Sequence, residues 1–365
     1  NDLSEKWNPR ASALVTNTWA DGKVGALLSV SYSKRDLLEE GFSAVRWEPS
    51  VNSGGFCSPV GVSPATPASG AGSSATNCAT GIPRPANTPS NLAAYGTAMA
   101  PGVFHPRLPR YGRLTHEQTR TGITGSLQFK LADATTLSVD GMYSKLDATR
   151  AENFLDSISF GRNSSQGGKA QTIVRAAEVN DRGDLVYGVF DNVDVRSESR
   201  YDELSTEFKQ INLAGEHRFS DSFKLSGLIG HSSSVHENPI QTTIIMDKLD
   251  ADNYVWDYRG NSRLPSFNYG TVDVTDPNGW TLAEIRLRPQ QVENTYDSGQ
   301  LDFAWSLSPN FTLKGGVQAK EYEFSSREWR RASETSIPSL TQAQRNELNK
   351  LVGLAGINVS GNPSR

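Results

Sequence analysis

The chain has 365 residues, a net charge of −4 and 36% hydrophobic residues. So small and acidic a charge argues against a nucleic-acid-binding protein, which needs a basic face, and against disorder caused by charge repulsion. The sequence contains no run of about 18 apolar residues, so it predicts no transmembrane helix. It also predicts no signal peptide. A β-structure with one apolar and one polar face fits this composition, because only half of its side chains need to be apolar.

Four segments share one pattern, in which two strands of alternating apolar and polar residues are joined by a short polar turn. In chain order these segments are residues 10–35, 120–145, 206–234 and 294–330. The first turn contains Asp21-Gly22, which is a strong hairpin signal. The pattern predicts about eight antiparallel strands in four hairpins, each strand being about ten residues long.

Aromatic residues gather beside the short turns, and aliphatic residues fill the rest of the same strand faces. The residues beside the turns are Trp19, Phe129, Phe219, Phe223, Trp305 and Phe311, while Tyr32 and Tyr143 lie at the far ends of their strands. The opposite faces carry charged residues such as Lys130, Asp140 and Lys314. This distribution is typical of two aromatic girdles around the apolar band of a membrane barrel.

The connections alternate between very short turns and long segments. The long segments are residues 36–119, 146–205, 235–293 and 331 onward. Compact soluble domains seldom have a long loop at every other connection, whereas bacterial outer-membrane barrels combine short periplasmic turns with long extracellular loops. We therefore expect the long segments to lie outside the cell.

Some regular structure is expected within these loops. Thr341 and Gln344 form a capping-box pattern that predicts a short helix over residues 341–353, and residues 280–284 suggest a brief helical turn. Residues 240–246 and 267–274 have the pattern of additional strands. Residues 50–100 are low in sequence complexity, which predicts a mobile segment.

Aromatic residues in the loops are candidates for ligand contact. Tyr254, Trp256 and Tyr258 form the densest group, and Trp47 is a further candidate. Such side chains stack on sugars or on planar ligand rings, but they also hold loops together. The sequence leaves both roles open.

Two further loop features have a chemical interpretation. Cys57 and Cys78 lie in one loop and predict a disulfide, which forms in an oxidising compartment. Asp247, Asp250 and Asp252 are spaced so that their oxygens suit a hard cation such as calcium. The alternative for these carboxylates is a hydrated acidic loop face, so a metal site is only a weak candidate and no cofactor is otherwise predicted.

Residues 8–12, 24–35, 219–227 and 307–316 resemble the barrel of TonB-dependent outer-membrane receptors, and the resemblance extends over most of the chain. It implies active uptake of a scarce, large nutrient such as an iron–siderophore complex, haem, cobalamin or an oligosaccharide. It also implies a lipid bilayer as partner, and a TonB-type energy-coupling protein that acts through an N-terminal plug.

The chain departs from this family pattern in two ways. Nothing in it resembles the plug, and residues 362–365 lack the terminal aromatic strand of such barrels. Eight strands are also fewer than the roughly 22 of such transporters. We therefore expect residues 1–365 to be the β-barrel region of a receptor, a partial transmembrane barrel without the plug and the C-terminal strands.

The sequence suggests no enzymatic activity. Ser31 and Lys34 match an S-x-x-K pattern, but the companion motifs of that enzyme class are missing. One alternative is a small complete outer-membrane barrel with an adhesive or structural role, which requires residues 10–19 to pair with residues 311–319. Another is a soluble secreted β-protein, for example a carbohydrate-active enzyme.

Overall fold

The computed structural model describes residues 3–52, 55–63, 78, 82–162, 168–276 and 278–351, of which residues 349–351 are described by their backbone alone. Strands hold 63% and helices 7% of the chain, and the sheets are antiparallel, which confirms the all-β class. Residues 352–365, with the predicted helix end at Gly353 and the polar C-terminus, lie outside the described residues.

The main sheet contains all four predicted hairpins. Its strands are β1 (Arg10–Trp19), β2 (Val24–Ser43), β5 (Arg110–Ala132), β6 (Thr135–Ser157), β9 (Val193–Arg218), β10 (Phe223–Ala251), β13 (Thr281–Leu287), β14 (Gln290–Ser308) and β15 (Phe311–Glu328). The order is β1-β2-β5-β6-β9-β10-β14-β15, and β13 pairs with the far part of β10. Within the described residues, the outer strand β1 pairs with β2 and the outer strand β15 pairs with β14. A small closed barrel would require β1 to pair with β15, and the described strand pairs do not include that pair.

The first hairpin turn has the backbone conformation that its sequence predicts. Ala20, Asp21 and Gly22 have φ values of 54°, 53° and 80°, in the left-handed region that suits the twist of a hairpin. Glycine is the residue that adopts this conformation at least cost.

The strands are longer than predicted, and much of the expected loop sequence is strand. β2 and β5 stay in register from Val24↔Phe129 to Ser43↔Arg110 without a shift. The expectation that strands would be about ten residues long was wrong, because each extended segment supplies hydrogen-bond partners to its neighbour whatever its side-chain pattern. The predicted helical turn at residues 280–284 was wrong for the same reason, since β13 pairs there with β10.

The remaining strands and the helices lie in the long connections. Two strands form a small sheet, β3 (Trp47–Pro49) and β4 (Phe104–Pro106), and four form another in the order β12-β11-β8-β7. The strands of the second are β7 (Ile173–Val179), β8 (Leu185–Asp191), β11 (Tyr254–Asp257) and β12 (Ser266–Asn268). The helices are α1 (Pro89–Ala98), α2 (Gln342–Leu351) and a 3-10 turn at Ser159–Gly161.

Both helices begin at side-chain caps. The Thr88 hydroxyl accepts a hydrogen bond from the Asn91 N–H at 3.3 Å before α1. The predicted capping box of α2 is confirmed, because the Gln344 N–H donates to Thr341 Oγ1 at 3.2 Å and the Thr341 N–H donates to Gln344 Oε1 at 2.9 Å. α1 lies in the segment that was expected to be mobile, so that expectation was wrong for residues 89–98.

The hydrophobic core lies at the end of the sheet away from the hairpin turns. It contains aromatic residues of the long connections together with the far ends of β5, β9 and β10. We call the described residues within 47–106, 158–191 and 252–280 the loop subdomain. By contrast, none of residues 10–35, 112–147, 203–237 and 290–328 is buried. No described helix is long and apolar enough to cross a membrane.

Candidate ligand site in the loop subdomain

Three of the predicted ligand-contact residues lie inside the core of the loop subdomain. Tyr254 and Trp256 belong to β11 and are fully buried, and Tyr258, which follows the strand, is 4% exposed. The Trp256 ring lies 4.5 Å from the Phe160 ring and 4.6 Å from the Phe190 ring, centroid to centroid. In this arrangement the three side chains hold the subdomain together, and a ligand reaches them only if the subdomain opens.

Trp47 is the accessible member of the predicted set. It lies on β3, is half-buried, and makes an edge-to-face contact with Tyr258 at 5.3 Å between ring centroids. Trp47 therefore connects the surface of the subdomain to its aromatic interior. Ligand contact by these four residues stays a prediction.

Several polar groups of the aromatic cluster are buried and unpaired. Trp256 Nε1, Tyr258 OH and Tyr95 OH have no hydrogen-bond partner among the described residues. Each such group costs about 1–3 kcal/mol, and native cores contain few of them. The cluster thus has unused hydrogen-bonding capacity, which a polar ligand or ordered water can satisfy.

Burial keeps the tyrosines of this cluster neutral. It raises the pKa of Tyr111 to about 12 and raises the pKa values of Tyr258 and Tyr269 well above the usual range. Their hydroxyls are therefore hydrogen-bond donors at any physiological pH. Tyr111 already uses its hydroxyl, which donates to the Pro265 carbonyl at 2.6 Å.

The three aspartates of the weak metal candidate have separate structural roles. The buried Asp247 carboxylate accepts two hydrogen bonds from Arg196, at 2.7 and 2.8 Å. The exposed Asp252 accepts from the Asn192 N–H at 3.3 Å, and the Asp250 N–H donates to Asp194 at 3.3 Å. In the part of the chain that the structure describes, no three His, Cys, Asp or Glu side chains are grouped so as to hold a metal ion.

Cys57 and Cys78 are joined by a disulfide, with their Cα atoms 4.3 Å apart. Both are buried against Ile173 at the start of β7. The Cys57 N–H also donates to the Thr172 carbonyl at 3.1 Å. The bond therefore fixes Cys78 beside the start of β7 in the four-stranded sheet.

A buried basic cluster in the subdomain was missed by sequence reasoning. Lys169 is fully buried, and its ammonium group lies 2.9 Å from His105 Nε2 and 3.1 Å from the Ser50 carbonyl. Burial lowers the pKa of Lys169 to about 7, and burial together with Lys169 holds the pKa of His105 well below its usual range. These residues are far apart in the sequence, so no local motif signals the cluster.

The S-x-x-K pattern is not brought together as a catalytic pair. Ser31 and Lys34 are three residues apart on β2, so their side chains point to opposite faces of the sheet. Ser31 Oγ lies 3.5 Å from the Gly122 carbonyl, and the Lys34 amine lies 3.6 Å from Asp36. Each of the two side chains thus has a separate partner in the main sheet.

We compared the chain with protein-family models, with curated proteins and with solved structures, and none of the three comparisons found a match.

Proposed function

We propose that the chain forms part of the wall of a transmembrane β-barrel in a bacterial outer membrane and serves the active uptake of a scarce, large nutrient. One observation carries the proposal, namely an apolar band on one face of the main sheet, at the same distance from the hairpin tips on every long strand. We call this face the apolar face. The cross-strand register puts these aliphatic residues on it: Val15, Leu28, Val30, Ile123, Leu127, Leu137, Val139, Ile211, Leu213, Ile229, Leu301, Leu313 and Val317.

The band has an aromatic lower edge and a charged upper edge. Aromatic residues of the same face lie close to the tips: Trp19, Phe129, Phe223, Trp305 and Phe311. About twelve residues above the tips, the face carries charges on most strands: Lys34, Lys145, Lys209, Asp297 and Glu321. The band between them is about 24 Å high along the membrane normal, close to the roughly 25 Å of outer-membrane barrels.

The positions of the hairpin tips fit strands that are tilted from the membrane normal. One hydrogen-bonded row crosses all eight long strands, through Trp19, Val24, Phe129, Leu137, Gly215, Gly227, Leu301 and Val317. The tips lie progressively farther from this row, from about 2.5 residues in the first hairpin to about 8 in the fourth. If all four tips lie in one plane parallel to the membrane, the strands are tilted by about 33° from the membrane normal. Membrane barrels have tilts of about 35–45°.

The opposite face is polar and makes hydrogen bonds between its side chains. Ser126 donates to Asp140 at 2.6 Å, and Lys224 contacts Glu216 at 2.8 Å. A polar face of this kind suits the interior of a transport barrel, which holds water or protein. In a soluble sandwich the apolar face would be covered by a second layer, whereas Val15 and Val317 are 70% and 71% exposed.

The nature of the cargo and of the energy source follows from the resemblance described above. It favours an iron–siderophore complex or an oligosaccharide as ligand, and a TonB-type protein that acts through a plug as the energy-coupling partner. The loop subdomain lies at the end of the sheet where an extracellular ligand arrives. In this proposal the chain has no enzymatic role.

Lipid contact is tested by quenching of single-tryptophan variants of the full chain in vesicles that contain brominated lipids. One variant keeps only Trp305, which is on the apolar face at the aromatic lower edge of the band, and its matched control keeps only Trp280, which is fully buried in the loop subdomain. We expect strong quenching of Trp305 and none of Trp280, because bromine quenches only at contact range. Equal quenching of both, or a folded chain that needs neither lipid nor detergent, would contradict the proposal.

A further inference from the structure

The chain passes four times between the main sheet and the four-stranded sheet, and the two shortest passages, from β8 to β9 and from β10 to β11, lie side by side. Residues 191–194 link β8 to β9, and residues 250–253 link β10 to β11; together we call them the crossover. Asn192, Asp250 and Asn253 have φ values of 58–60° in the left-handed region. The Asn253 N–H donates to Asp191 at 2.9 Å. The crossover is thus a short two-stranded connection between the four-stranded sheet and the main sheet.

Two buried carboxyl groups lie at or beside the crossover. Asp194 belongs to it, and Asp156 lies on the neighbouring strand β6, where Ser157 pairs with Val195. The Asp194 side chain is 4% exposed, accepts from the Asp250 N–H at 3.3 Å, and lies 3.6 Å from Arg162. Asp156, at the end of β6, is fully buried, and neither of its oxygens has a hydrogen-bond partner among the described residues. A buried ionised carboxylate without partners is costly, so Asp156 favours the protonated form.

The arginines near the two groups are shared with other carboxylates. Facing Asp156 are Arg110 on β5, Arg196 and Glu198 on β9, Asp247 on β10, and the hydroxyls of Tyr254 and Tyr269. Facing Asp194 are Arg162, Asp247 and Asp250. Arg196 is already shared by three carboxylates, at 2.7 Å from Asp247, 3.6 Å from Glu284 and 4.0 Å from Glu198. Arg162 is shared between Asp194 and Asp247.

We propose that Asp156 and Asp194 bind protons that keep the crossover closed, so that loss of these protons opens the loop subdomain and exposes Tyr254, Trp256 and Tyr258. The loop subdomain would then be a proton-controlled cover over its own aromatic cluster. This inference goes beyond the proposed uptake function and does not depend on membrane insertion.

The direction of the pH dependence follows from the two carboxyl groups. Burial raises the pKa of Asp194 to about 6, and burial together with Glu198 raises the pKa of Asp156 well above its usual range. Between the ordinary pKa of 3.8 and these raised values, the closed form binds more protons than the open form. The free energy of opening therefore falls as pH rises through this window.

Hydrogen exchange of the full chain in detergent micelles tests this proposal. After correction for the intrinsic exchange rate, we expect the protection of the amides of residues 254–258 to fall as pH rises. The fall should be about tenfold per pH unit for each titrating group. Amides of residues 301–317, in the fourth hairpin, are the internal control and should keep their protection. The double variant Asp156→Asn/Asp194→Asn should abolish the pH dependence at residues 254–258.

The matched control is Asp252→Asn, which changes an exposed carboxyl group in the same turn. Asparagine keeps a side-chain oxygen that can accept from the Asn192 N–H, so the control variant should keep the full pH dependence. If the double variant does not fold, the single variant Asp194→Asn should remove the share of the slope that Asp194 contributes below about pH 6 and keep the share that Asp156 contributes. Protection that does not change with pH in the wild type, or a double variant that keeps the dependence, would overturn the proposal.

Discussion

At the scale of single residues, the most unusual group in the molecule is the buried Lys169 ammonium. It has two hydrogen-bond partners, Ser50 and His105, and a distant aromatic contact with Phe56 at 5.8 Å from the ring centroid. Among the described residues no carboxylate contacts it, and Glu48 acts on it only at a distance. A charge without a paired counter-ion in a fully buried position is destabilising, which is why its pKa falls to about 7.

This environment predicts a pH-dependent gain in stability for Lys169→Met. Between pH 7 and the ordinary lysine value of 10.5, the unfolded wild type binds one more proton than the folded wild type, so its free energy of unfolding rises with pH. Relative to the methionine variant, the rise in the free energy of unfolding should reach up to about 5 kcal/mol. Urea unfolding at several pH values measures it. Lys23→Met, at an exposed hairpin turn, is the control and should show no such difference.

At the scale of elements, α1 shows how a short helix begins inside a long connection. Thr88 caps its first turn, and Pro89 occupies the first helical position, where a missing N–H costs nothing. Gly96 lies near its end, exposed and with no atom within 4 Å of an added Cβ. The helix therefore has one strong local determinant and one weak position.

Two substitutions in α1 should have opposite effects. Thr88→Ala removes the cap and should lower the stability of the loop subdomain by about 1 kcal/mol. Gly96→Ala should raise it by about 0.5–1 kcal/mol, because alanine loses less backbone entropy in a helix. Hydrogen exchange of the α1 amides measures both; equal effects of one sign would show that contacts outside the helix determine its stability.

At the scale of the whole molecule, the two ends of the main sheet are built differently. The loop end has a buried aromatic core, whereas the hairpin end has an apolar face and a polar face with no buried residue between them. Neighbouring residues of β10 illustrate the difference, since Ile229 is on the apolar face and Leu228 is on the polar face with Ser226. Only the first should contact lipid in the proposed barrel.

Arginine substitutions at these two positions should therefore differ. Ile229→Arg places a charge in the apolar band and should cost about 2–4 kcal/mol of folding free energy in vesicles. Leu228→Arg faces the polar side and should cost less than about 1 kcal/mol. Urea titration of the folded chain in vesicles measures both, and similar costs at the two positions would contradict the assignment of faces.

How much of the fold could be predicted from the sequence depends on how far apart in the sequence the interacting residues lie. The four hairpins, the Asp21-Gly22 turn and the capping box of α2 depend on residues close in sequence, and all were predicted. The length of the strands was underestimated, because the far part of β5 carries no alternation and is a strand only through pairing with its neighbours. Residues 240–246 were predicted as a strand, but not as the continuation of the third hairpin that β10 makes them.

By itself, the sequence determined the all-β class and the alternation of apolar and polar side chains, because period-two patterning and turn chemistry are local properties. Only the tertiary structure decided the positions of Tyr254, Trp256 and Tyr258 in a closed core, the burial of Lys169 and the carboxyl groups at the crossover. These features arise where segments separated by tens to hundreds of residues meet. Burial and charge at such a place depend on all of these segments together, and no single stretch of sequence specifies them.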